Sequence, residues 1–267
     1  MQTFLPYADF GRSAAVLDQP RLGKQRVETL QILRALVVPD YGWQNHPATL
    51  MWMGHVPALV AYGLAMADEW IRRGHADTTR EQILEFAPEA EAADVVLPYW
   101  VGDEAVHRSH RSNLIAKDPA FYGPRFPDTD GGLPYVWPQP RTLIRPQDPP
   151  GGIWAARTAA PERGRALIRL PMLSAKGTPI SGKRGRQLVR LLEDMADGDP
   201  VAVLAGDPSV VLLGTAGEVR LTNDTAEREV LLTGQAARSD FASPALLQDP
   251  RTLFRVPAPQ PAGSRRD

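Results

Sequence analysis

The segment PRLGKQRVETLQILRAL (Pro20–Leu36) sets Arg21, Lys24, Glu28 and Gln31 at offsets 0, 3, 7 and 10. On an α-helix that spacing makes one stripe. A single carboxylate, Glu28, then lies between cations on the face opposite Leu30 and Leu33. Neighbouring cations favour the ionised carboxylate. Such a group abstracts a proton or stabilises a developing positive charge. The same pattern also fits a solvated helix face with Lys24 and Glu28 paired four residues apart. Arg21, Lys24 and Arg26 are candidate phosphate contacts on this segment, because cations of this kind position nucleic-acid backbones.

A second basic strip, DEAVHRSHRSNLIAKDP (Asp103–Pro119), places His107, Arg108, His110 and Arg111 within little more than one helical turn. Two histidines three residues apart could share a metal, but zinc wants three or four ligands. His46 and His55 would have to complete the set, and nothing in their spacing requires it. A basic surface gripping phosphates is the better reading, since the arginine fork matches phosphate oxygens. All five histidines precede residue 111, so the polar chemistry is expected in the first half of the chain. His55 opens an apolar stretch, where a capping or core histidine competes with a nucleic-acid contact. Trp43, Trp52, Trp70 and Trp100 read as core rather than as stacking platforms, and Phe121-Tyr122 as a pair that could lie against a DNA backbone. Ser181–Arg186 (SGKRGR) is basic but lacks the spacing of a phosphate-binding loop.

The elements that must carry these residues change character midway. Before about residue 140 the periodicity is helical. Leu22–Leu36 shows Val27, Leu30, Leu33 and Val37 on one face. His55–Arg73 reads as a largely buried helix ending near Gly74, Thr79–Phe86 as a short one, and Asp103–Lys117 as one stopped by Asp118-Pro119. Phe121–Pro150 is too rich in proline for a long helix, and its PYVWP run (Pro134–Pro138) is expected to pack on the helical part. Beyond it, Arg165–Leu170, Val201–Ala205, Val210–Gly214, Glu218–Thr222 and Glu229–Thr233 read as short strands, with one helix over Ser181–Met195. The expected fold is an all-α N-terminal domain (1–140), a Pro/Gly-rich linker (141–160), a smaller, mainly β sheet or barrel domain with one helix (161–256), and a frayed tail (257–267).

Composition narrows the chemistry. The 267 residues include no cysteine, which excludes disulfides, thiolate catalysis and cysteine-ligated metal centres. With 43% hydrophobic residues the chain can bury a substantial core, and its net charge of −1 gives no global pull toward polyanions, so a nucleic-acid site must arise from local clustering. The start lacks the basic and apolar regions of a signal peptide, and the apolar run Val56–Ala67 is about half a membrane span. A soluble, cytoplasmic protein is expected, with no membrane contact.

The stretch HPATLMWMGHVPALVAYGLAMADEWIRRGHADT from His46 resembles the phage-type pyrimidine-dimer DNA glycosylase family, the T4 endonuclease V class. There a Gly-His-Val opens a long buried helix that ends in a basic pair and glycine, as Gly54-His55-Val56 and Arg72-Arg73-Gly74 do here. RLGKQRVE is similar to the segment that carries the family's catalytic glutamate, with Glu28 at that position. Ile115–Tyr122 is similar to the family's Ile-Ala-x-x-Pro-x-aromatic-Tyr run. Order and approximate spacing agree over Met1–Phe126, and MQTFLPY and HRSHRSNL look like an uncharacterised bacterial branch.

The resemblance implies an all-α unit that binds double-stranded DNA and extrudes a base. The N-terminal α-amine attacks the sugar C1′, an imine forms with help from the glutamate, and β-elimination nicks the strand. No metal and no organic cofactor is implied. α-Amines titrate at about 7.7–8, so a useful fraction is nucleophilic at neutral pH. This chain departs from the pattern at Gln2, a bulky residue that blocks removal of Met1 and so makes Met1 the amine. Gln31 and Leu114 stand where the family has basic residues, and Lys24 is an alternative amine. The reading is a DNA glycosylase with AP-lyase activity, with Met1 and Glu28 catalytic. Arg21, Lys24, Arg26, His55, His107, Arg108, His110 and Arg111 are its nucleic-acid contacts. It has no obligate protein partner and a cytoplasmic, nucleoid-associated location. The alternatives are a DNA-binding protein that senses a base without cleaving and, less favoured, a metal-dependent hydrolase.

Overall fold

The computed structural model describes residues 1–92 and 94–260. Two compact units divide the chain, the first spanning Met1–Pro146 and the second starting at Gln147. Helices lie mostly between residues 10 and 125, and a mixed sheet occupies residues 153–256. Among the described residues, no helix is long and apolar enough to cross a membrane.

The first unit contains α1 (Phe10–Val16), α2 (Gln19–Val37), α3 (Pro47–Leu50), α4 (Val56–Arg72), α5 (Arg80–Leu84), α6 (Glu104–Lys117) and α7 (Pro119–Tyr122). The side chain of Asp18 caps α2 by accepting the Arg21 N–H at 2.9 Å, with Pro20 in the first turn where no donor is wanted. Gly74 follows α4 at φ +87°, a conformation that favours glycine. Asp118 both stops α6 and starts α7, accepting the Phe121 N–H at 3.0 Å.

α2 turns a different edge inward from the one its apolar pattern suggests. Val27 is 44% exposed, whereas Leu22, Gln25, Thr29, Ile32 and Leu33 are buried. Polar Gln25 and Thr29 occupy core positions, so hydrophobicity alone misplaces the stripe. Where α4 crosses near α2 and α5, only glycine fits: a Cβ on Gly63 would stand 2.7 Å from Thr29 Cγ2 and 3.0 Å from Ile83 Cγ2. Gly63→Ala should therefore destabilise the protein by about 1–2 kcal/mol, overpacking outweighing the gain in helix propensity. A urea melt in which this variant matches or exceeds the parent would contradict that packing.

The proline-rich run after α7 is pinned to α6 by that helix's small polar residues. Leu133 N–H donates to Ser112 Oγ (2.8 Å), Val136 N–H to Ser109 Oγ (3.2 Å), and Asn113 Nδ2 to Leu133 O (2.9 Å). Tyr135 and Trp137 thereby pack against the helical core. Trp52 and Trp100 are in that core and Trp70 is partly buried, but Trp43 is 60% exposed and sits at φ +69°. Reading Trp43 as core is thus corrected.

In the second unit β1 (Ile153–Arg157), β2 (Arg165–Pro171), β3 (Pro200–Leu204), β4 (Val210–Leu221), β5 (Thr225–Ala237) and β6 (Leu253–Val256) form one sheet in the order β2-β5-β4-β3-β1-β6. The β1–β3 pair is parallel and the others antiparallel. β2 alternates exposed and buried positions, as a half-covered strand must. α8 (Gly182–Val189) ends in a π-helical turn at Arg190–Asp194, not in the single α-helix expected to Met195.

Three expectations change. The two segments Val210–Gly214 and Glu218–Thr222 belong to one strand, because a bulge at Ala216/Val219 carries the pairing with β5 across Gly217. The stretch read as linker to residue 160 holds β1, whose Trp154-Ala155-Ala156 lacks a β-branched signature yet pairs on both edges. Residues 257–260 are not frayed: Pro259 bridges Phe241, and Gln260 N–H donates to Asp240 O at 2.8 Å. The rest of the expected tail, 261–267, lies outside the described residues.

Candidate active site

The first five residues carry no regular secondary structure of their own, Pro6 is a bend, and side chains bond to the backbone of this segment. Gln2 N–H donates to Glu28 Oε2 at 2.8 Å and Phe4 N–H to Gln25 Oε1 at 2.8 Å. Leu5 N–H donates to His110 Nδ1 at 2.9 Å, while His107 Nδ1 lies 2.8 Å from Leu5 O. Gly102 N–H donates to His107 Nε2 at 2.9 Å, so the His107 proton is on Nδ1 and donates to Leu5 O. Tyr62 Oη–H is shared between Gln25 Oε1 (2.7 Å) and Phe4 O (3.0 Å), and Arg111 Nη1 donates to Pro6 O at 2.8 Å. Trp52 Nε1 donates to Thr3 Oγ1 at 2.9 Å. Buried backbone groups need such partners. Because these partners sit on α2, α4 and α6 and on the segment before α4, they fix the terminus in register over Glu28.

A pocket of about 540 Å³ opens at that end of the segment. Met1, Gln2, Gln25 and Glu28 line its acid–amine side, Arg21, Lys24 and Lys117 supply cations, and His46, Tyr135 and Trp137 supply rings. His46 lies 5.6 Å from Trp43 and 6.2 Å from Trp137, ring centre to ring centre, both in edge-on contacts. The His46 pKa is lowered, first by burial and then by the N-terminal charge, against a smaller pull upward from Glu28. Burial raises Tyr135, with Gln2 opposing and Glu28 adding to the rise. Burial likewise pushes Tyr62 far up, and Glu28 contributes in the same direction.

Of the residues singled out in the sequence, Met1, Glu28, Arg21 and Lys24 come together in this pocket. Arg21 is half-buried: it pairs with Asp18, donates to Lys117 O at 3.1 Å and approaches the Tyr122 ring at 5.7 Å. Arg108 is exposed on α6. The others sit elsewhere. His107 and His110 are 3% and 0% exposed, so neither ring can reach a phosphate, and both hold Leu5 instead. Arg26 is paired with Asp77 and stacked 4.2 Å over Trp70. Arg111 is spent on Glu104 and Pro6. His55 precedes α4 without a side-chain cap bond and is not among the residues lining the pocket. Tyr122 is buried, with its hydroxyl accepting the Asp18 N–H at 3.0 Å and its pKa raised to about 12, chiefly by burial, so it cannot lie on a DNA backbone. Among the described residues no group of three or more metal-ligating side chains forms, so the four histidines of the hydrolase reading are not assembled into a site.

Sequence reasoning took Gln2 only for its bulk and His46 only as a metal ligand, expected Pro134–Pro138 to pack on the helices without placing Tyr135 and Trp137 at the site, and missed Gln25. A glutamine on the buried face of α2 was the available signal for Gln25. Nothing local links residue 46 to residues 135 and 137.

His110 makes the segment sensitive to acid. The pKa of His110 falls to about 3, first from burial and then from the charge of His107. An unfolded histidine titrates near 6.5, so between about 3 and 6.5 the unfolded chain binds the extra proton. Stability therefore rises with pH across this window and is lost as pH falls from about 6.5, by about 1.4 kcal/mol per pH unit for this one group. Urea melts at pH 7.5 and 5.5 should show that loss, and His110→Gln should reduce it. An equal slope in the variant would remove His110 from the account.

A family model described as pyrimidine dimer DNA glycosylase matches residues 1–82, a segment that includes Met1, Gln2, Arg21, Lys24, Glu28 and His46. Lys117, Tyr135 and Trp137 lie outside the matched segment. No curated protein and no solved structure matches the chain. The match supports a DNA glycosylase-type function in general, with DNA as the substrate that such a function implies.

Proposed function

We propose that this chain is a DNA glycosylase with AP-lyase activity, acting on double-stranded DNA through an imine formed by the Met1 amine on an all-α first unit. The observation that carries the reading is the 2.8 Å hydrogen bond from Gln2 N–H to Glu28 Oε2, which keeps the α-amine one residue from the pocket's carboxylate. The amine lone pair attacks C1′ of the extruded nucleotide, the glycosidic bond breaks, and the base leaves with its electron pair. Glu28 takes a proton from the resulting ammonium and passes it to the sugar ring oxygen as the C1′–O4′ bond breaks, leaving a protonated imine between Met1 and C1′. Glu28, ionised again, accepts a C2′ proton, and the C3′–O bond breaks with its electron pair leaving on the 3′ phosphate. Arg21, Lys24 and Lys117 provide phosphate contacts beside the reacting sugar, and exposed Arg108 extends the basic surface.

Borohydride treatment of the protein with a duplex holding one abasic site tests the reading. The imine is reduced to a stable secondary amine, and a covalent protein–DNA adduct is expected. A protein that binds this duplex without forming any adduct is a non-catalytic binder, and the proposal falls.

A further inference from the structure

Trp43 combines two costs in one residue. Its side chain is 60% exposed, and its backbone sits at φ +69°. A bulky residue in the left-handed region is rare and strained. An indole left in water also forgoes the burial that a side chain of its size ordinarily gains. The surrounding loop is tied down around this conformation. Gln44 Nε2 donates to Val38 O at 3.1 Å, His46 N–H to Trp43 O at 2.9 Å, and Arg145 Nη2 to Asn45 Oδ1 at 2.6 Å. The indole meets the His46 ring edge-on, 5.6 Å between centres. His46 lines the pocket together with Tyr135 and Trp137, whereas Trp43 is not among the lining residues. A flat apolar side chain is thus held on the surface at the pocket's edge, by a backbone that would suit asparagine or glycine better.

We propose that Trp43 is a positioning residue that enters the duplex beside the pocket and fills the gap which the extruded nucleotide leaves in the base stack. The role rests on the glycosylase reading, because such a gap opens only where a base is extruded or already lost. Extrusion costs the stacking of the departing base on its neighbours. An apolar side chain wedged between base steps takes the place of those contacts. Stacking of an aromatic ring on one base is worth about 10- to 100-fold in affinity. Because the loop is already tied at Val38, His46 and Arg145, insertion costs little further ordering. Burial between bases returns to the indole the desolvation it lacks in the free protein. Trp43 in this role acts on the balance between stacked and extruded nucleotide, not on the amine or the sugar.

Two variants separate this role from a structural one. Trp43→Asn removes the ring and suits the left-handed backbone, while Trp43→Phe keeps a flat apolar face. Each is measured by urea melt and by affinity for two duplexes of one sequence, one intact and one holding a single abasic site. Trp43→Asn should melt at or above the parent's urea midpoint and bind the abasic duplex about 10- to 100-fold more weakly. Its affinity for the intact duplex, which has no gap to fill, should stay within about two-fold of the parent's. Trp43→Phe should recover abasic-duplex affinity to within about five-fold. A lowered midpoint for Trp43→Asn makes the ring a support of its own loop and overturns the wedge. Unchanged affinity for the abasic duplex, an equal loss on both duplexes, or a parent that binds the two alike overturns it as well. Borohydride trapping of the parent on the abasic duplex reports on the glycosylase reading separately. An adduct beside any of those results leaves that reading standing, and its absence overturns the reading and the wedge together.

Discussion

Glu28→Gln is expected to slow strand nicking at an abasic site by at least about 100-fold, the scale of a positioned acid–base group. The substitution keeps the size of the side chain and an oxygen that can accept the Gln2 N–H now held at 2.8 Å. It also keeps a neighbour for Gln25 Nε2, which lies 3.4 Å from Glu28 Oε2. What it removes is the capacity to take a proton from the ammonium and return it to the sugar. DNA affinity and the urea midpoint should therefore change little while single-turnover nicking collapses. Nicking that survives within a factor of a few would take Glu28 out of the mechanism.

The second large effect concerns the terminus. Acetylation of Met1, or a short tag ahead of it, should abolish borohydride trapping, because an amide nitrogen has no available lone pair. The pinned N-terminal segment explains why an extension is not simply accommodated elsewhere: Gln2, Phe4, Leu5 and Pro6 are each bonded through their backbone to side chains from α2 or α6. Lys24→Ala is the matching control. Lys24 is an exposed amine on the same pocket, but nothing holds it against Glu28 as the Gln2 N–H bond holds the terminus. Trapping should persist in that variant. Trapping that survives acetylation and vanishes with Lys24 would transfer the chemistry to the side chain.

How much of this was legible in the sequence follows from the range of each interaction. The stripe of Arg21, Lys24 and Glu28 is a local matter of helical spacing, and the three do share one pocket. The histidines of α6 were misread because a basic strip and a buried clamp look alike in one dimension. Their burial depends on Leu5, about a hundred residues away in the chain, whose backbone they hold. Val27 was misplaced because α2 buries glutamine and threonine, and those are buried only because the N-terminal segment and α4 meet them. Strand β1 was hidden in a proline-rich connection, since Trp154-Ala155-Ala156 becomes a strand only through its pairing with β3 and β6. The ring wall joins residue 46 to residues 135 and 137 through tertiary packing that no local pattern announces.

The central claim is that an imine forms on the N-terminal amine, and mapping the trapped adduct tests it most directly. The borohydride-reduced complex with an abasic duplex is digested with nuclease and protease, and the peptide carrying the sugar remnant is identified by mass spectrometry. The account predicts that the remnant lies on the peptide beginning at Met1, attached to its α-nitrogen. A remnant on Lys24, or no modified peptide from a protein that demonstrably binds the duplex, would contradict it.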